Sequence, residues 1–216
     1  VMLLGRDKAP AQAFKLLANE LSSRSHEIFL YSEEGVDEYR QLLINPVGMV
    51  DVLLLGMSSS DKLAAEEIFA AESAVRLGIP YGFYADTFGC HQRPWFAHLR
   101  EKASFLFVIN EKEAELAREM FPNARVVVSG NPMWEDFFTP KLSRKEVREK
   151  LGVADGQRMV LCPGGKSLAV NMLHWGGVIE ALNMLSAPED WKVFLSVHPG
   201  DKPVEEVKKI QKLATE

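Results

Sequence analysis

The sequence predicts an α/β protein that opens with a Rossmann-like parallel sheet carrying helices on both faces. Short apolar runs alternate with amphipathic helical stretches almost from end to end, which is typical of β-α-β units. The run at residues 50–55 is almost purely aliphatic, as expected for a strand that helices cover on both sides. Connections of only a few residues favour right-handed crossovers within one sheet.

The elements of this first sheet follow one another in a regular order. Gly5 breaks the first strand, and Asp61 and Gly78 are placed to cap the N- and C-terminal ends of one helix. Strands are predicted at residues 1–4, 27–31, 50–55, 79–84, 105–109 and 125–129, and helices at 11–22, 61–77 and 111–120. The charges of the last helix are typical of a solvated face.

The β-α rhythm is interrupted after residue 138. Ser143 and Glu146 have the spacing of a capping box for a short helix that ends near Gly152. We therefore predict a first domain at 1–138, and at 139–216 a linker helix with the beginning of a second Rossmann-like unit. In this second part, strands are predicted at 159–162 and 192–197, and helices at 175–185 and 203–214. Two strands cannot bury both faces of a sheet, so either more chain belongs to this unit, which we favour, or these strands extend the first sheet.

Composition excludes several classes of protein. The chain has 216 residues, 47% of them apolar, and a formal charge of −5, which argues against a nucleic-acid footprint. Its apolar runs fall short of the roughly 20 residues that span a bilayer, and no basic segment precedes the first strand.

Cys90 and Cys162 form no CxxC motif, so we expect two reduced thiols in a cytoplasmic protein. Together with His91 and His98, Cys90 does not match a zinc-site spacing, and we predict no metal.

Two loops of the second part are candidates for binding a phosphate. In the CPGGKS stretch at 162–167, Gly164 and Gly165 let the backbone approach an anion, Lys166 adds positive charge and Ser167 a hydroxyl. The loop is not a Walker A motif, because Val160 stands where that motif requires glycine. His198 follows the next predicted strand and is placed to contact the same ligand. A tight turn and a local hydrogen-bonding histidine are the structural alternatives.

Loops of the first part offer a catalytic base. Asp86 lies in the loop at the end of the predicted strand at 79–84 and is the best-placed carboxylate for general-base work. Asp7 follows the first strand, where it belongs either to a charged rim or to an acceptor site. The loop at 56–60 supplies serine hydroxyls, and Gly130 and Asn131, which end the last strand of the domain, are predicted to face the cleft between the lobes and to contact the bound ligand. The alternatives are a capping aspartate for Asp86 and a simple turn for the glycine and asparagine.

Several of these motifs resemble, in the right order, those of the GT-B superfamily. The RSHEI stretch at 24–28 is similar to the RGHEV turn of many GT-B proteins, and GNP at 130–132 resembles their GNP or GHP loop. LCPGGK at 161–166 resembles the LPGSR loop of lipid-A-disaccharide synthases. HP at 198–199 is similar to an element of UDP-N-acetylglucosamine 2-epimerases.

The resemblance implies a glycosyltransferase that uses a nucleotide-diphosphate sugar without metal or other cofactor. The second lobe would bind the donor diphosphate through the 164–167 loop and His198, and the first lobe the acceptor, with Asp86 or Asp7 as base. Developing negative charge on the leaving diphosphate would be stabilised by amides and basic groups. Two alternatives stay open: a 2-epimerase acting on a UDP-N-acetylhexosamine, and a non-catalytic ligand-binding module. An NAD-dependent dehydrogenase is disfavoured because no GxGxxG follows the first strand.

Overall fold

The computed structural model describes residues 1–31, 46–165, 167–185 and 190–196, without the side chains of residues 136 and 137. The chain divides into two compact units, Val1–Thr139 and Pro140–Glu216. Each unit is an α/β structure with its own parallel sheet.

The first unit is built on a six-stranded sheet in the order β2-β1-β3-β4-β5-β6. Every neighbouring pair is parallel, and Leu3 of β1 lies between Leu30 and Leu54 of the adjacent strands. This arrangement confirms the predicted fold class. The strands are β1 (Met2–Leu4), β2 (Phe29–Tyr31), β3 (Leu53–Gly56), β4 (Tyr81–Tyr84), β5 (Phe105–Val108) and β6 (Arg125–Val128).

Helices connect these strands. They are α1 (Lys8–Ser23), α2 (Asp61–Leu77), α3 (Glu111–Met120) and α4 (Glu135–Phe138), with 3₁₀ helices at Cys90–Gln92, Pro94–Lys102 and Pro132–Trp134. The prediction of Asp61 as a cap was wrong by one residue, because the Oγ of Ser60 accepts the Leu63 N–H and Asp61 already belongs to the helix. Gly78 ends this helix in the left-handed region, with φ of 70°.

The core of the first unit lies on both faces of the sheet because strand side chains alternate. One face carries Leu4, Leu55 and Phe83 within the larger buried cluster, which includes small alanines of α2. The opposite face carries Leu3, Leu54 and Tyr84, packed against Phe14 and its neighbours on α1. Both faces of the central strands are thus covered, as the aliphatic run at 50–55 predicted.

The second unit contains two parallel strands, β7 (Arg158–Pro163) and β8 (Trp191–Ser196). Helix α5 (Arg144–Lys150) begins with the predicted capping box of Ser143 and Glu146. Helix α6 (Leu168–Asn183) begins seven residues before the predicted start at 175, because Ser167 caps it. Trp175 and Ile179 of this helix pack on Cys162 of β7. The helix predicted at 203–214 lies outside the described residues.

Both cysteines are free and buried. Among the residues that the structure describes, no helix is long and apolar enough to cross a membrane.

Candidate active site

The loops that follow β1 and β3 meet where the strand order reverses. From β1 the chain moves to β2 on one side of the sheet, and then to β3 on the other side. In open parallel sheets this reversal leaves a crevice beyond the carboxyl ends of the strands, where ligands bind. The side chains at this edge of the first unit are therefore the first candidates for function.

Asp7 connects these two loops. Its main-chain N–H donates to Ser58 Oγ at 3.0 Å, and its Oδ2 accepts the Ser59 N–H at 2.7 Å. Asp7 occupies the N-cap position of α1, yet its side chain forms no hydrogen bond to that helix. The carboxylate is turned toward the neighbouring loop instead, so Asp7 is anchored at the crevice.

Glu67, a buried carboxylate on α2, accepts hydrogen bonds from the same two loops. Glu67 is fully buried, and its Oε1 accepts the Arg6 N–H at 3.1 Å and the Ser58 hydroxyl at 2.8 Å. Its Oε2 accepts the Ser58 N–H at 2.9 Å. Burial raises the pKa of Glu67 to about 7, although these donors favour the charged form. A side chain at Gly56 would place Cβ 2.7 Å from Oε1, so glycine is required for this approach.

Two further contacts involve the loops after β1 and β3. The indole N–H of Trp95 donates to the carbonyl of Ser58 at 3.1 Å, so this side chain also fixes the loop. The side chain of Arg6 lies 3.5 Å from Glu66, measured from Nε to Oε2. Ser58 is fully buried, and its amide, hydroxyl and carbonyl all have partners. The loop after β3 is therefore rigidly held.

Asp86 lies just beyond the carboxyl end of β4 and is 7% exposed. The thiol of Cys90 donates to its Oδ1 at 3.3 Å. Burial raises the pKa of Asp86, against the opposing effects of the Cys90 thiol and the Arg93 charge, and the negative charge of Asp7 adds to the increase. Burial also raises the pKa of Cys90 to about 12, so this side chain is a neutral donor at neutral pH.

Asn131 joins the loop after β6 to the loop that carries Asp86. Its Nδ2 donates to the Asp86 carbonyl at 3.0 Å, and its Oδ1 accepts the Met133 N–H at 2.9 Å. The preceding Gly130 has φ of 71°, which lets the chain turn there. The structure therefore brings Asn131 and Asp86 together, and both ends of the asparagine side chain are engaged within the protein.

The turn between Asp86 and Cys90 is held by the next helix. Gly89 has φ of 71°, and its N–H donates to Glu113 Oε2 at 2.7 Å. The same oxygen lies 3.2 Å from Nδ1 of the fully buried His91, whose pKa is lowered by burial. The expectation that all charges of this helix are solvated was wrong for Glu113, which is 6% exposed.

An open, mostly apolar cavity of about 480 Å³ lies on the α1 face of the sheet. Its walls include Phe14, Leu17, Tyr84 and Phe107. Tyr84 is the last residue of the strand that leads into Asp86, and burial raises its pKa. The volume is that of small-molecule sites, so this unit has room for a ligand beside β4.

In the second unit, the glycine loop is engaged with the protein itself. The N–H of Gly164 donates to the Ser196 carbonyl at 2.6 Å. Gly165 forms two 2.8 Å hydrogen bonds with the side chain of Asn171, one from its N–H and one to its carbonyl. Cβ at position 164 would lie 2.6 Å from the same Ser196 oxygen and 3.0 Å from Trp175. Close packing thus accounts for Gly164.

The remaining residues predicted to bind the donor are placed as follows. Ser167 caps α6, with its Oγ accepting the Val170 N–H at 3.5 Å. Lys166 and His198 lie outside the described residues. A role of the 164–167 loop and His198 in phosphate binding stays a prediction. In the described part of the chain, no group of three or more His, Cys, Asp or Glu side chains is placed to hold a metal ion.

Comparison with solved structures relates this fold to that of a known enzyme. No family model and no curated protein matches the sequence. Among solved structures, the UDP-GlcNAc 2-epimerase from Methanocaldococcus jannaschii aligns with a TM-score of 0.51 and 14% sequence identity. The alignment covers 99% of this chain and 68% of the epimerase. The chain therefore has a GT-B-like fold, which agrees with the resemblance at the coarse level and does not single out the lipid-A-disaccharide synthases.

Proposed function

We propose that the protein is an enzyme that acts on a nucleotide-diphosphate sugar. The observation that carries this proposal is the structural likeness to a UDP-GlcNAc 2-epimerase along 99% of the chain. Because fold alone does not determine chemistry, the roles of the two units are argued from their own residues.

The first unit is proposed to bind the acceptor rather than the diphosphate. Four main-chain amides lie where the strand order reverses, and all four donate to side chains of the same two loops or of α2. The donors are Arg6, Asp7, Ser58 and Ser59, and the acceptors are the side chains of Glu67, Ser58 and Asp7. A phosphate at such a crevice is normally held by free backbone N–H groups. Here side chains of the protein already accept hydrogen bonds from these amides, and the negative charge of the carboxylates among them would repel a diphosphate. This arrangement suits an uncharged, hydroxyl-bearing molecule.

The second unit is proposed to bind the donor. The loop after β7 contains Ser167 at the beginning of α6, where helix amides favour an anion. Since the amides of Gly164 and Gly165 donate within the protein, the proposal relies on the charge of Lys166 and on His198 for the diphosphate. No metal or other cofactor forms part of it.

Asp86 is the proposed base for glycosyl transfer. Its raised pKa makes it a stronger proton acceptor than an ordinary aspartate. The acceptor oxygen would form a bond to the anomeric carbon while the bond from that carbon to the diphosphate oxygen breaks. The hydroxyl proton would pass to Asp86, and the electron pair would leave with the nucleoside diphosphate. Asp7, anchored at the neighbouring loop, is the second candidate for this role.

Epimerisation of the sugar nucleotide is the second candidate function, because the aligned solved structure is an epimerase. The two reactions differ in what they require. Epimerisation yields an isomerised sugar nucleotide with no acceptor present, whereas transfer consumes the donor and releases a nucleoside diphosphate only with an acceptor.

The experiment is a product analysis with the full-length protein. UDP-N-acetylglucosamine and a panel of other nucleotide sugars are incubated with and without a mixture of sugar and polyol acceptors, and products are identified by NMR and mass spectrometry. Acceptor-dependent release of nucleoside diphosphate supports transfer, and an isomer formed without acceptor supports epimerisation. If no nucleotide sugar changes in any condition, the protein is a binding module and the proposal fails.

A further inference from the structure

Glu67 is a buried carboxylate for which the proposed reaction has no direct use. It lies in the middle of α2 and is fully buried, so it does not touch a substrate. Burying a carboxylate is costly unless hydrogen bonds compensate. The three hydrogen bonds to Glu67 given above come from the loops after β1 and β3.

Ser58 connects Glu67 to Asp7 through its hydroxyl group. Its hydroxyl donates its proton to Glu67 Oε1 at 2.8 Å, which leaves the Ser58 Oγ lone pairs to accept the Asp7 N–H at 3.0 Å. The next amide, that of Ser59, donates to Asp7 Oδ2 at 2.7 Å. The Ser58 hydroxyl therefore links the buried carboxylate of Glu67 to the main chain of Asp7, while the adjacent Ser59 amide holds the Asp7 carboxylate.

We propose that Glu67 is a positioning residue that holds, through the Ser58 hydroxyl, the main chain of Asp7 and thereby keeps its carboxylate at the crevice. Asp7 counts as a site residue only under the proposed function, so the inference rests on that function in this one respect. The hydrogen-bond relay itself is a property of the free protein and is tested without substrate.

The polar and charged groups around Glu67 come from three elements, the loop after β1, the loop after β3 and α2 itself. Asp7 on the β1 loop raises its pKa, and donors from Arg6 and Ser58 lower it, while burial outweighs both and brings it to about 7. Glu66, the preceding residue, pairs with the Arg6 side chain. When Glu67 takes up a proton, one acceptor site becomes a donor that faces another donor. The relay to Asp7 is then weakened.

The test is an amide NMR titration of the full chain between pH 5 and 9. The signals of Asp7 and Ser59 are expected to shift with a midpoint near 7. Glu67→Gln should abolish that step and speed hydrogen exchange of the Ser59 amide by roughly three- to tenfold, the loss of one hydrogen bond. The matched control is Glu66→Gln, which alters the adjacent carboxylate without touching Ser58 and should keep the step.

Ser58→Ala provides a second route if Glu67→Gln does not fold. It removes the hydroxyl link but keeps the main-chain N–H bonds of residues 6 and 58 to Glu67, so the Arg6 amide signal should still shift near pH 7 while the step at the Asp7 amide should be lost. The inference is overturned if the Asp7 and Ser59 amides show no step near 7, or show the same step in Glu67→Gln. A normal titration in a protein that turns over no sugar nucleotide would instead defeat the proposed function alone.

Discussion

The side-chain amide of Asn131 donates a 3.0 Å hydrogen bond to the main-chain carbonyl of Asp86. These residues follow β6 and β4, which are separated in the sheet by β5. The bond therefore spans a neighbouring strand end and fixes the backbone of the proposed base. The asparagine that sequence motifs suggested as a ligand contact has a clear structural task in the free protein.

Replacing Asn131 with alanine should loosen the loop that carries Asp86. We expect a loss of about 1–2 kcal/mol in the free energy of unfolding, since the Asp86 carbonyl and the Met133 amide both lose a partner. Denaturant unfolding of the variant measures this loss. Asn123→Ala is the matched control, because its exposed side chain also bonds a carbonyl, that of Glu101. Equal effects of the two substitutions would argue against a special role of Asn131.

Removing the charge of Asp86 should slow the chemical step without preventing folding. In Asp86→Asn, kcat is expected to fall by a factor on the order of 10²–10⁴, the usual contribution of a general base. Steady-state kinetics on the substrate identified by product analysis measures the effect, with the exposed Asp51→Asn as control. An unchanged kcat would remove Asp86 from the mechanism and leave Asp7 as the candidate.

Stability should fall as the pH rises from 5 to 8 because of Glu67. Its pKa in the folded protein is about 7, above the ordinary 4.5, so the folded state holds the proton more tightly than the unfolded state. The contribution is fully present below about pH 4.5 and is lost as the pH rises through 7. A change in pKa of this size corresponds to up to about 3 kcal/mol.

Denaturant unfolding of the wild type and Glu67→Gln at pH 5 and pH 8 isolates this contribution. The wild type should lose more stability than the variant between the two pH values. Parallel pH dependence in the two proteins would mean that the carboxyl of Glu67 is not the group responsible.

Asn171 is expected to pin the glycine loop of the second unit. It is 4% exposed, and its side chain makes two 2.8 Å bonds to Gly165. Asn171→Ala should destabilise this unit by about 2–3 kcal/mol and speed hydrogen exchange at the Gly165 amide. Asn171→Asp, which keeps only the acceptor, should protect that amide better than alanine does. If exchange at Gly165 is the same in all three proteins, the side chain does not close the loop.

The fold could be predicted because its signals are local. The aliphatic run at 50–55 and the turn at Gly78 depend on neighbouring residues only, and the structure has β3 and the end of α2 there. Asp86 was chosen as a candidate because it is a carboxylate in the loop after a buried strand, where ligands bind in open parallel sheets, and its role stays a prediction. Helix starts were less accurate, as at α6, where the cap Ser167 lies far ahead of the apolar residues that suggested the helix.

The buried carboxylates could not be predicted in the same way. Glu66 and Glu67 are adjacent and look alike in sequence, and only packing against the loops after β1 and β3 separates the one that pairs with Arg6 from the one that anchors Ser58. Glu113 likewise looks like the other charged residues of α3 in the sequence, and only the fold places it next to Gly89. A partial signal for Glu67 was its place among the closely packed alanines of α2.

The central claim is that this chain belongs to an enzyme that acts on a nucleotide-diphosphate sugar. It is tested most directly by an NMR time course of UDP-N-acetylglucosamine and the other nucleotide sugars with the full-length protein and with Asp86→Asn. The wild type should consume one donor, and the variant should consume it at least about a hundredfold more slowly. Persistence of every donor with the wild-type protein, with or without acceptors, would contradict it.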